Sequence, residues 1–484
     1  MNLELIHLEL EQVLAATESV CPVCLGRIPA RRVKRGDEVY LEKACPEHGR
    51  FRTVIWRGGP AIEAWVRPKT PAHPARPFTA VERGCPYDCG LCAEHRQQTC
   101  CVLFELTRRC DLACPVCFAS AGTPASRETD PGLETIEGWY RRLLEAGGPF
   151  NVQLSGGEPC LRDDLPEIIA LGRELGFTFF QLNTNGLRLA RDPRYLAALV
   201  EAGLSTVFLQ FDGVSDEVYR RLRGRALLEQ KTRAVENCLK AGVGVMLVPT
   251  LVPGVNDGQV GAVIDFALER MPGVRGVHFQ PVSYFGRYPG RYPGCEPEMP
   301  PGGPADGARL TLPEVMQRIE SQSGGRIRAE SFRPPGGENA LCSFHGNFVL
   351  MPDGSLHALT RRASGACCGP AEAESPGCAP EDGAQGAQRS RQFVARAWSA
   401  PQAPLDLPVL DGPGFGEWDV FLQRARTHTF CLSGMAFQDA WNLDLERLRD
   451  CYIHVMSPDG RLVPFCAYNL TSHCGQALYR GAAA

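Results

Sequence analysis

The chain has 484 residues, 44% of them hydrophobic, and a formal net charge of −4, with a sequence pI near 6.2. This length favours roughly two to four domains, and no long run of Lys and Arg points to nucleic acid as a partner. The first residues carry Glu4, Glu9 and Glu11, unlike a secretory signal, and the longest apolar stretch, residues 243–255, is broken by prolines. We therefore expect a cytoplasmic protein without a transmembrane segment.

Residues 1–75 are predicted to form a metal ribbon. Cys21 and Cys24 make a first knuckle, and a hairpin separates them from Cys45 and His48. Three thiolates and one imidazole at this spacing are typical of structural zinc, with a rubredoxin-like mononuclear iron as the alternative. A proline-rich stretch over residues 68–77 ends this unit.

Residues 76–101 contain a first cysteine run of the form C-x3-C-x2-C, namely Cys85, Cys89 and Cys92, followed by Cys100. Four thiolates close the coordination of a [4Fe–4S] cluster, which suits electron transfer or a structural role. We expect an auxiliary cluster here, with Cys101 as the competing fourth ligand. Zinc remains the alternative, because it accepts four thiolates at similar spacings.

Residues 102–295 alternate apolar strands with helices, which predicts a parallel sheet. Six such units fit a partial barrel, although periodicity alone does not distinguish a barrel from an open sheet. The predicted strands are 102–107, 151–154, 178–182, 206–211, 244–251 and 276–281, and the predicted helices are 133–146, 165–175, 194–202, 226–241 and 260–270.

A second cysteine run, Cys110, Cys114 and Cys117, begins just after the first of these strands. Catalytic groups of parallel α/β proteins lie at the carboxyl ends of the strands. No fourth cysteine follows nearby, so one iron of a cluster would keep an open coordination position, as a catalytic metal requires.

The next strand ends in Gly156, Gly157 and Glu158. Paired glycines allow the backbone to approach a ligand closely, and a carboxylate can bind an ammonium group. Alone this sequence is common in turns, but beside the second cysteine run it becomes specific.

Together these motifs resemble the radical S-adenosylmethionine (radical SAM) superfamily over roughly residues 100–285. The resemblance rests on the second cysteine run, on Gly156-Gly157-Glu158-Pro159, on Thr184-Asn185-Gly186 and on Phe211-Asp212-Gly213. It implies an α/β fold with a partial (β/α)6 barrel of the TIM type, between the N-terminal metal ribbon and a C-terminal α+β iron–sulfur extension.

The resemblance also implies the chemistry of an oxygen-sensitive enzyme. The second run binds a catalytic [4Fe–4S] cluster whose free iron chelates S-adenosylmethionine. Electron transfer to the sulfonium then yields a 5′-deoxyadenosyl radical that abstracts hydrogen from the substrate. Val116 stands where an aromatic residue often contacts adenine, so Phe118 is the candidate replacement. The implied cofactor-binding residues are Gly156, Gly157, Glu158 at the amino group, Asn185 near the ribose, Phe118, Asp212 and Asn256.

Residues 296–484 are predicted to form the extension. Cys451 and Cys466 flank a hairpin with an Asp-Gly turn, which resembles the SPASM and twitch extensions of radical enzymes, and Cys342 and Cys431 would complete a second auxiliary cluster. Cys474 is a rival ligand, and a hairpin with buried thiols is the alternative. A disordered linker is expected near 364–416.

Two further segments are interpreted without a catalytic role. The basic run over residues 220–225 is expected on a solvated surface. The repeated Gly-Arg-Tyr-Pro sequence over residues 286–294 is expected to be a loop where substrate enters.

Further motifs along the whole chain are Cys45-Pro46-Glu47-His48-Gly49 of the ribbon, residues 84–92 around the first cysteine run, Phe437-Gln438-Asp439-Ala440 and residues 464–469. These motifs resemble one subgroup of that superfamily. It contains archaeal tetraether lipid synthases and proteins called 7,8-dihydro-6-hydroxymethylpterin methyltransferases, and a bacterial Trs-type radical SAM (seleno)protein branch is similar. The resemblance implies C–C bond formation or C-methylation of a lipid or small pterin-like substrate, with a low-potential electron donor such as ferredoxin or flavodoxin. The alternatives are a multi-cluster electron-transfer protein without S-adenosylmethionine turnover and a zinc-rich interaction protein.

Overall fold

A computed structural model describes residues 11–67, 69, 71–74, 76–122, 130–288, 306–360, 383–401 and 416–480. Among these, no helix combines the length and the apolar character needed to cross a bilayer. Cys367 and Cys368, and most of the repeated Gly-Arg-Tyr-Pro segment, lie outside the described residues.

The N-terminal ribbon is a four-stranded antiparallel sheet whose strands follow one another in chain order. Its second strand alternates exposed and buried residues at its start, as expected for a sheet with one face packed on the rest of the protein. The strands are Gln12–Val20 (β1), Arg27–Arg35 (β2), Glu38–Cys45 (β3) and Gly49–Arg57 (β4).

The six predicted core strands form one parallel sheet in the order β11-β9-β8-β7-β6-β5, which confirms the α/β fold with a partial barrel. A two-residue strand, β10, also pairs with β11. The bounds are Cys101–Glu105 (β5), Asn151–Ser155 (β6), Phe180–Thr184 (β7), Thr206–Gln210 (β8), Gly244–Val248 (β9), Thr250–Leu251 (β10) and Val274–Pro281 (β11).

The C-terminal region extends this sheet at both edges. Beside β11 lies a parallel strand, β14, followed by the hairpin of β12 and β13. Beside β5 lies the parallel strand β15, paired with β16. Each hairpin turns at an Asp-Gly sequence, and Gly354 and Gly460 adopt positive φ there; the second turn is the one predicted between Cys451 and Cys466. The bounds are Ser343–Leu350 (β12), Leu356–Ala358 (β13), Thr429–Met435 (β14), Ile453–Met456 (β15) and Leu462–Pro464 (β16).

The helices match the five predicted ones within a few residues and add others. Among the additions, α4 and α6 follow β7 and β8, and α10 lies inside the interval 364–416, for which we expected a linker. The bounds are Ile62–Trp65 (α1), Leu133–Glu145 (α2), Leu165–Glu174 (α3), Leu187–Arg191 (α4), Pro193–Ala202 (α5), Asp216–Arg223 (α6), Leu228–Lys240 (α7), Val260–Leu268 (α8), Leu312–Gln322 (α9), Gly383–Trp398 (α10), Glu417–Thr427 (α11), Leu445–Arg449 (α12) and Phe465–Tyr468 (α13).

The segment 333–343 lies between the C-terminal strands at the two ends of the sheet, next to β12 on one side and to the residues before β15 on the other. At its start, Arg333 and His345 of β12 exchange backbone hydrogen bonds in an antiparallel bridge. At its centre, Asn339 Nδ2 donates to Asp450 Oδ2 at 2.9 Å, just before β15. A Cβ on Gly337 would lie 2.7 Å from the ring of Tyr452. We call this segment the seam, because it contacts both edges of the open barrel.

Candidate active site

A cavity of about 1010 Å3 runs from the carboxyl ends of the core strands into the barrel lumen. All three cysteines of the second run line it, together with Gly156, Gly157 and Glu158. Every core strand also contributes a side chain, namely Leu103, Gln153, Asn183, Gln210, Val248 and Gln280.

The cluster loop, residues 106–122, carries the second cysteine run directly after β5. Arg287 holds this loop, because its backbone exchanges two hydrogen bonds with Cys117, each of 2.8 Å. Its side chain donates from Nε to the carbonyl of Cys114 at 2.6 Å and from Nη2 to that of Ala121 at 3.0 Å. The first copy of the Gly-Arg-Tyr-Pro repeat therefore buttresses the cluster loop. Three thiols in one loop that faces a cavity fit a [4Fe–4S] cluster with one open iron.

The paired glycines lie against the beginning of the cluster loop. A Cβ on Gly156, whose φ is +128°, would lie 2.3 Å from the carbonyl oxygen of Thr107, and one on Gly157 would lie 2.2 Å from that of Arg109. In this close approach Gly157 N donates to Thr107 O at 2.7 Å and Glu158 N to Arg109 O at 2.8 Å. The glycines are thus needed to bring the two strand ends together.

Glu158 is buried and held by three hydrogen bonds. Its Oε1 accepts from Thr184 Oγ1 at 2.6 Å and from Cys160 N at 3.0 Å, and its Oε2 accepts from Asn185 N at 2.7 Å. Burial raises the pKa of this carboxyl group. Since a carboxylate has about four acceptor positions, one remains for a ligand in the cavity. Asn185 also lines the cavity, and its Nδ2 donates to Asp111 Oδ1 at 2.7 Å.

Asp212 and Asn256 occupy interior positions and are not among the residues that line the cavity. Asp212 forms a two-bond ion pair with Arg223, at 2.6 and 2.7 Å. Arg223 Nη1 also donates to the carbonyl of Val116 in the cluster loop at 2.9 Å. Asn256 Nδ2 donates to the carbonyls of Asp212 and Thr250, each at 2.8 Å. Both residues therefore position the cluster loop and the end of β8.

Arg223 corrects the interpretation of the basic run as a solvated surface. Its side chain is 4% exposed, whereas Arg220 and Arg221 on the same helix are exposed. A second interior cation that the sequence did not reveal is Lys231, whose Nζ donates to the carbonyl of Asn185 at 2.5 Å. In the sequence, only their positions on the apolar faces of α6 and α7 could have indicated that these two side chains are buried.

Phe118 lies at the cavity wall, 36% exposed. Its ring is 5.6 Å from that of Phe465 in α13, and the Arg480 guanidinium is 5.8 Å from it. Val116 lines the cavity as well. Phe118 is thus an accessible aromatic surface on the cluster loop, as expected for contact with a purine.

The ribbon brings its four predicted ligands together. The ligand atoms of Cys21, Cys24, Cys45 and His48 all lie within 4.8 Å of one another. His48 Nδ1 is 3.6 Å from Cys21 Sγ and 3.3 Å from Cys45 Sγ. Three sulfur atoms and one nitrogen at such distances fit a tetrahedral zinc site.

The first cysteine run is brought together in a buried loop. Cys85 and Cys89 contact each other, and the presence of Cys85 raises the pKa of the Cys92 thiol beyond the effect of burial. Tyr479 near the C-terminal end supports this loop, since its hydroxyl accepts from Cys89 N at 3.0 Å.

Cys100 lies apart from the first run. It lines the large cavity, which Cys85, Cys89 and Cys92 do not. Burial raises the pKa of its thiol to about 12, and the charged groups that act on it are Glu338 and Arg391. The predicted set of four is thus not assembled, because the chain turns into β5 at this point.

Among the C-terminal cysteines, three of the four predicted ligands are neighbours. Burial raises the pKa of the Cys451 thiol, and Cys466 and Cys342 raise it further. Cys101, at the start of β5, is also near them, because β15 pairs its Ile453 with Cys101, and Cys451 contributes to the raised pKa of that thiol.

Cys431 lies elsewhere, in the barrel lumen. It belongs to β14, where it pairs with Gly276 of β11, and it packs with Phe208 and Met246. The structure therefore does not bring it to Cys342, Cys451 and Cys466.

Comparison with known proteins agrees with these observations. Residues 104–267 match the description "Radical SAM superfamily", and residues 13–57 match "HMPTM N-terminal zinc ribbon domain". A Methanocaldococcus jannaschii protein named 7,8-dihydro-6-hydroxymethylpterin dimethyltransferase is 33% identical over 94% of this chain and 93% of its own length. A probable GTP 3′,8-cyclase of Methanothermobacter thermautotrophicus is 30% identical over 34% of this chain and 53% of its own.

Among solved structures, Streptococcus suis SuiB bound to S-adenosylmethionine is 17% identical and covers 38% of this chain and 39% of its own, with a TM-score of 0.31. The full-length relationship to the Methanocaldococcus protein, together with both domain matches, confirms the family that the motifs indicated. The chain belongs to the radical SAM superfamily, and within it to the family of the pterin dimethyltransferase of Methanocaldococcus jannaschii, and it is a radical SAM enzyme.

Proposed function

We propose that this enzyme methylates a carbon atom of a polar, ring-containing small molecule, such as a pterin. The name of the full-length relative supports methyl transfer to a reduced pterin. When bound at Cys110, Cys114 and Cys117, the cluster supplies the electron that cleaves S-adenosylmethionine and starts hydrogen abstraction. The chain's own residues orient the reactants and exclude water from them.

The observation that carries the proposal is a row of amide side chains across the barrel lumen. Gln181 Nε2 donates to Asn183 Oδ1 at 2.7 Å, and Asn183 Nδ2 donates to Gln153 Oε1 at 3.1 Å. Gln181 Oε1 is buried, and within the described part of the chain it has no hydrogen-bond partner. A nitrogen heterocycle presents ring and exocyclic N–H groups that match such an acceptor.

A hydrocarbon chain in the same place would leave these polar atoms without partners. Asn347 Oδ1, on another strand of the lumen, is likewise buried and unpaired among the described residues. Each unsatisfied buried group costs about 1–3 kcal/mol. This cost favours a polar ring over the lipid chain that the wider subgroup also suggests.

His278 contributes a neutral imidazole to the same wall. Burial lowers its pKa to about 4, so the ring is uncharged near neutral pH. Its Nδ1 lies 2.8 Å from Ser433 Oγ, which fixes the orientation of the ring. Its ring centroid is 5.3 Å from that of Phe208, so an aromatic surface and a polar edge are offered together.

We assign structural or electron-transfer roles to the remaining metal sites. The ribbon site fits zinc in a structural role. The first cysteine run fits an auxiliary [4Fe–4S] cluster, for which a low-potential donor such as ferredoxin or flavodoxin is the partner class. Cys342, Cys451 and Cys466 are candidates for a second auxiliary cluster, with Cys101 in place of Cys431.

The test is anaerobic turnover with S-adenosylmethionine that carries a deuterated methyl group, with 7,8-dihydro-6-hydroxymethylpterin as the probe. We expect 5′-deoxyadenosine, S-adenosylhomocysteine and a substrate heavier by the labelled methyl group in mass spectrometry. Cys114→Ala should abolish all three, whereas Cys89→Ala should retain reductive cleavage. Formation of 5′-deoxyadenosine without S-adenosylhomocysteine and without a gain of the labelled methyl group, for any substrate that is consumed, would contradict methyl transfer from a second molecule of S-adenosylmethionine and favour direct C–C coupling.

A further inference from the structure

A cluster of basic side chains lines the cavity next to the seam, away from the cysteines of the second run. Arg67, Lys69, Arg333 and His345 all contribute to the cavity wall. Arg333 and His345 form a two-residue antiparallel bridge, so their side chains project from the same face of the sheet. Lys69 is brought to this bridge because its Nζ donates to the carbonyl of Pro335 in the seam.

The cations of this cluster are not neutralised by ion pairs among the described residues. Arg333 Nε is buried, and no acceptor in the described part of the chain lies within hydrogen-bond distance of it. The pKa of His345 is lowered to about 4 by burial and also by the charges of Arg333 and Lys69, which shows that the three groups share one environment. Arg333 and Lys69 are half-buried and Arg67 is exposed, so an anion that enters the cavity meets these charges in partly desolvated surroundings, where it can accept charge-assisted hydrogen bonds.

The carboxyl groups nearby leave a surplus of positive charge. Glu338 also lines the cavity, but it is buried, accepts a hydrogen bond from Ser343 and has a pKa raised by burial. Asp450, the next acidic neighbour of Lys69, is engaged with Arg96 at 2.9 Å. Beside the seam, Arg67, Lys69 and Arg333 therefore face one carboxyl group of the cavity wall, that of Glu338, whereas Glu158 lines the cavity at the cluster loop.

The basic side chains are close enough to the cluster loop for one substrate molecule to contact both. His345 pairs with Ser433, two residues before the end of β14 at Met435. At about 3.3 Å per strand residue, this level is roughly 7 Å below the rim of the barrel. A substrate anchored here can therefore present another atom to the rim, where the cluster loop lies.

We propose that the substrate carries an oxyanion, and that Arg333 and Lys69, with Arg67, bind this group while the reacting carbon faces the cluster loop. The inference rests on the proposed function, because it assigns the same cavity to the substrate. The turnover probe named above, 7,8-dihydro-6-hydroxymethylpterin, supplies the ring of such a substrate without the oxyanion. The shared chemistry is that of a phosphate ester or a carboxylate, and the two are distinguished by the probes used below. Arg333 presents a planar fork of donors, which suits either group.

The experiment is isothermal titration calorimetry of the anaerobic holoenzyme with methyl phosphate and, separately, with acetate. We expect binding with one site per chain, weakened about tenfold or more by Arg333→Gln and by Lys69→Gln, because each loses a charge-assisted hydrogen bond. The control is Arg328→Gln, which removes an exposed arginine close in sequence but outside the cavity wall. It should change the affinity less than twofold.

Tighter binding of methyl phosphate identifies a phosphate ester, and tighter binding of acetate identifies a carboxylate. Equal affinities of the Arg333→Gln, Lys69→Gln and Arg328→Gln proteins, or no binding of either probe to the wild type, would overturn the proposal. Two independent variants are used so that misfolding of one, detected by circular dichroism and iron content, leaves the other decisive. If the wild type binds the anion as expected but transfers no methyl group, the proposed function is refuted and the anion site stands.

Discussion

At the scale of single residues, the candidate active site depends on two backbone segments that lie too close together to leave room for a side chain between them. Gly156 and Gly157 let the end of β6 press against the backbone of the cluster loop. The same contact transmits the position of β6 to the cysteines that we propose as ligands of the catalytic cluster. Geometry at this point is therefore set by backbone, with no flexible side chain between the two strand ends.

We predict that Gly157→Ala displaces the cluster loop. Its Cβ would lie 2.2 Å from the carbonyl oxygen of Arg109, which is backbone and cannot rotate away. Iron bound per chain should fall by about the content of one cluster, and 5′-deoxyadenosine formation should drop at least about 100-fold, since misplacement by an ångström has effects of this size.

The matched control is Gly138→Ala inside α2, where a Cβ meets no atom within 4 Å. That variant should keep its iron and gain up to about 1 kcal/mol in the free energy of unfolding. Full iron content and activity in Gly157→Ala would show that the cluster loop is held by other contacts.

A second residue-scale prediction concerns the buried pair of Arg223 and Asp212. Arg223→Gln leaves a carboxylate with no exposed surface without its cation, and such a change costs about 3–5 kcal/mol in the free energy of unfolding. Chemical denaturation under anaerobic conditions measures this cost. Arg220→Gln, on an exposed position of the same helix, should cost less than about 0.5 kcal/mol. If adding Asp212→Asn to Arg223→Gln recovers no stability, the pair is not the source of the loss.

At the scale of elements, α7 places a cation beneath the loop that follows β7. Lys231 is fully buried, donates to the carbonyl of Asn185, and its ammonium group lies 3.2 Å from Gln210 Oε1 of β8. Burial lowers its pKa to about 8. The helix α7 thus places a hydrogen-bond donor, Lys231, beneath the cavity wall, and burying this charged group costs free energy.

This cost predicts a pH dependence of stability. The unfolded lysine titrates near pH 10.4, so between about pH 8 and 10.4 the unfolded chain binds more protons than the folded one. Stability therefore rises with pH in this window, by about 3 kcal/mol for this group. Urea denaturation at pH 7.5 and pH 10 should show most of that gain in the wild type relative to Lys231→Met. Lys240→Met, on an exposed position of the same helix, should track the wild type at both pH values.

The elements also show which parts of the structure can be predicted from the sequence. The core strands and the cysteine runs were predictable because each depends on local spacing, such as the run that begins at Cys110. The separation of Cys100 from the first cysteine run was not predictable, because it depends on the chain passing from a loop into β5 at that residue. The burial of Arg223 depends on Asp212, which lies on a different element. Such long-range pairing leaves no local pattern.

At the scale of the whole molecule, the ribbon is docked on the C-terminal region. Arg32 forms an ion pair of 2.7 Å with Asp444, and Lys43 Nζ donates to the carbonyl of Ala440 at 2.7 Å. The ring of Trp441 packs on the ribbon at 5.9 Å from that of Phe51. The ribbon is therefore part of the scaffold that orders the chain around Cys466.

We predict that Cys45→Ser loosens this docking as well as the ribbon itself. The substitution removes one of the four candidate ligands of the ribbon site, so metal affinity should fall. The midpoint of thermal unfolding should drop by roughly 5 °C or more, and Trp441 should become accessible to a fluorescence quencher. A zinc-selective chelator should reproduce both effects in the wild type. Unchanged quenching after metal loss would show that the ribbon folds and docks without metal.

The pairing of β5 with β15 has a consequence for how the protein is made. On a ribosome, β5 and the cysteines after it emerge about 350 residues before the strand that covers its other edge. During that interval the strand presents an unpaired row of backbone donors and acceptors, which invites association with other chains. Nascent chains and products truncated before residue 453 should therefore be prone to aggregation, and delivery of iron and sulfide is best timed after the last strand has been released and paired.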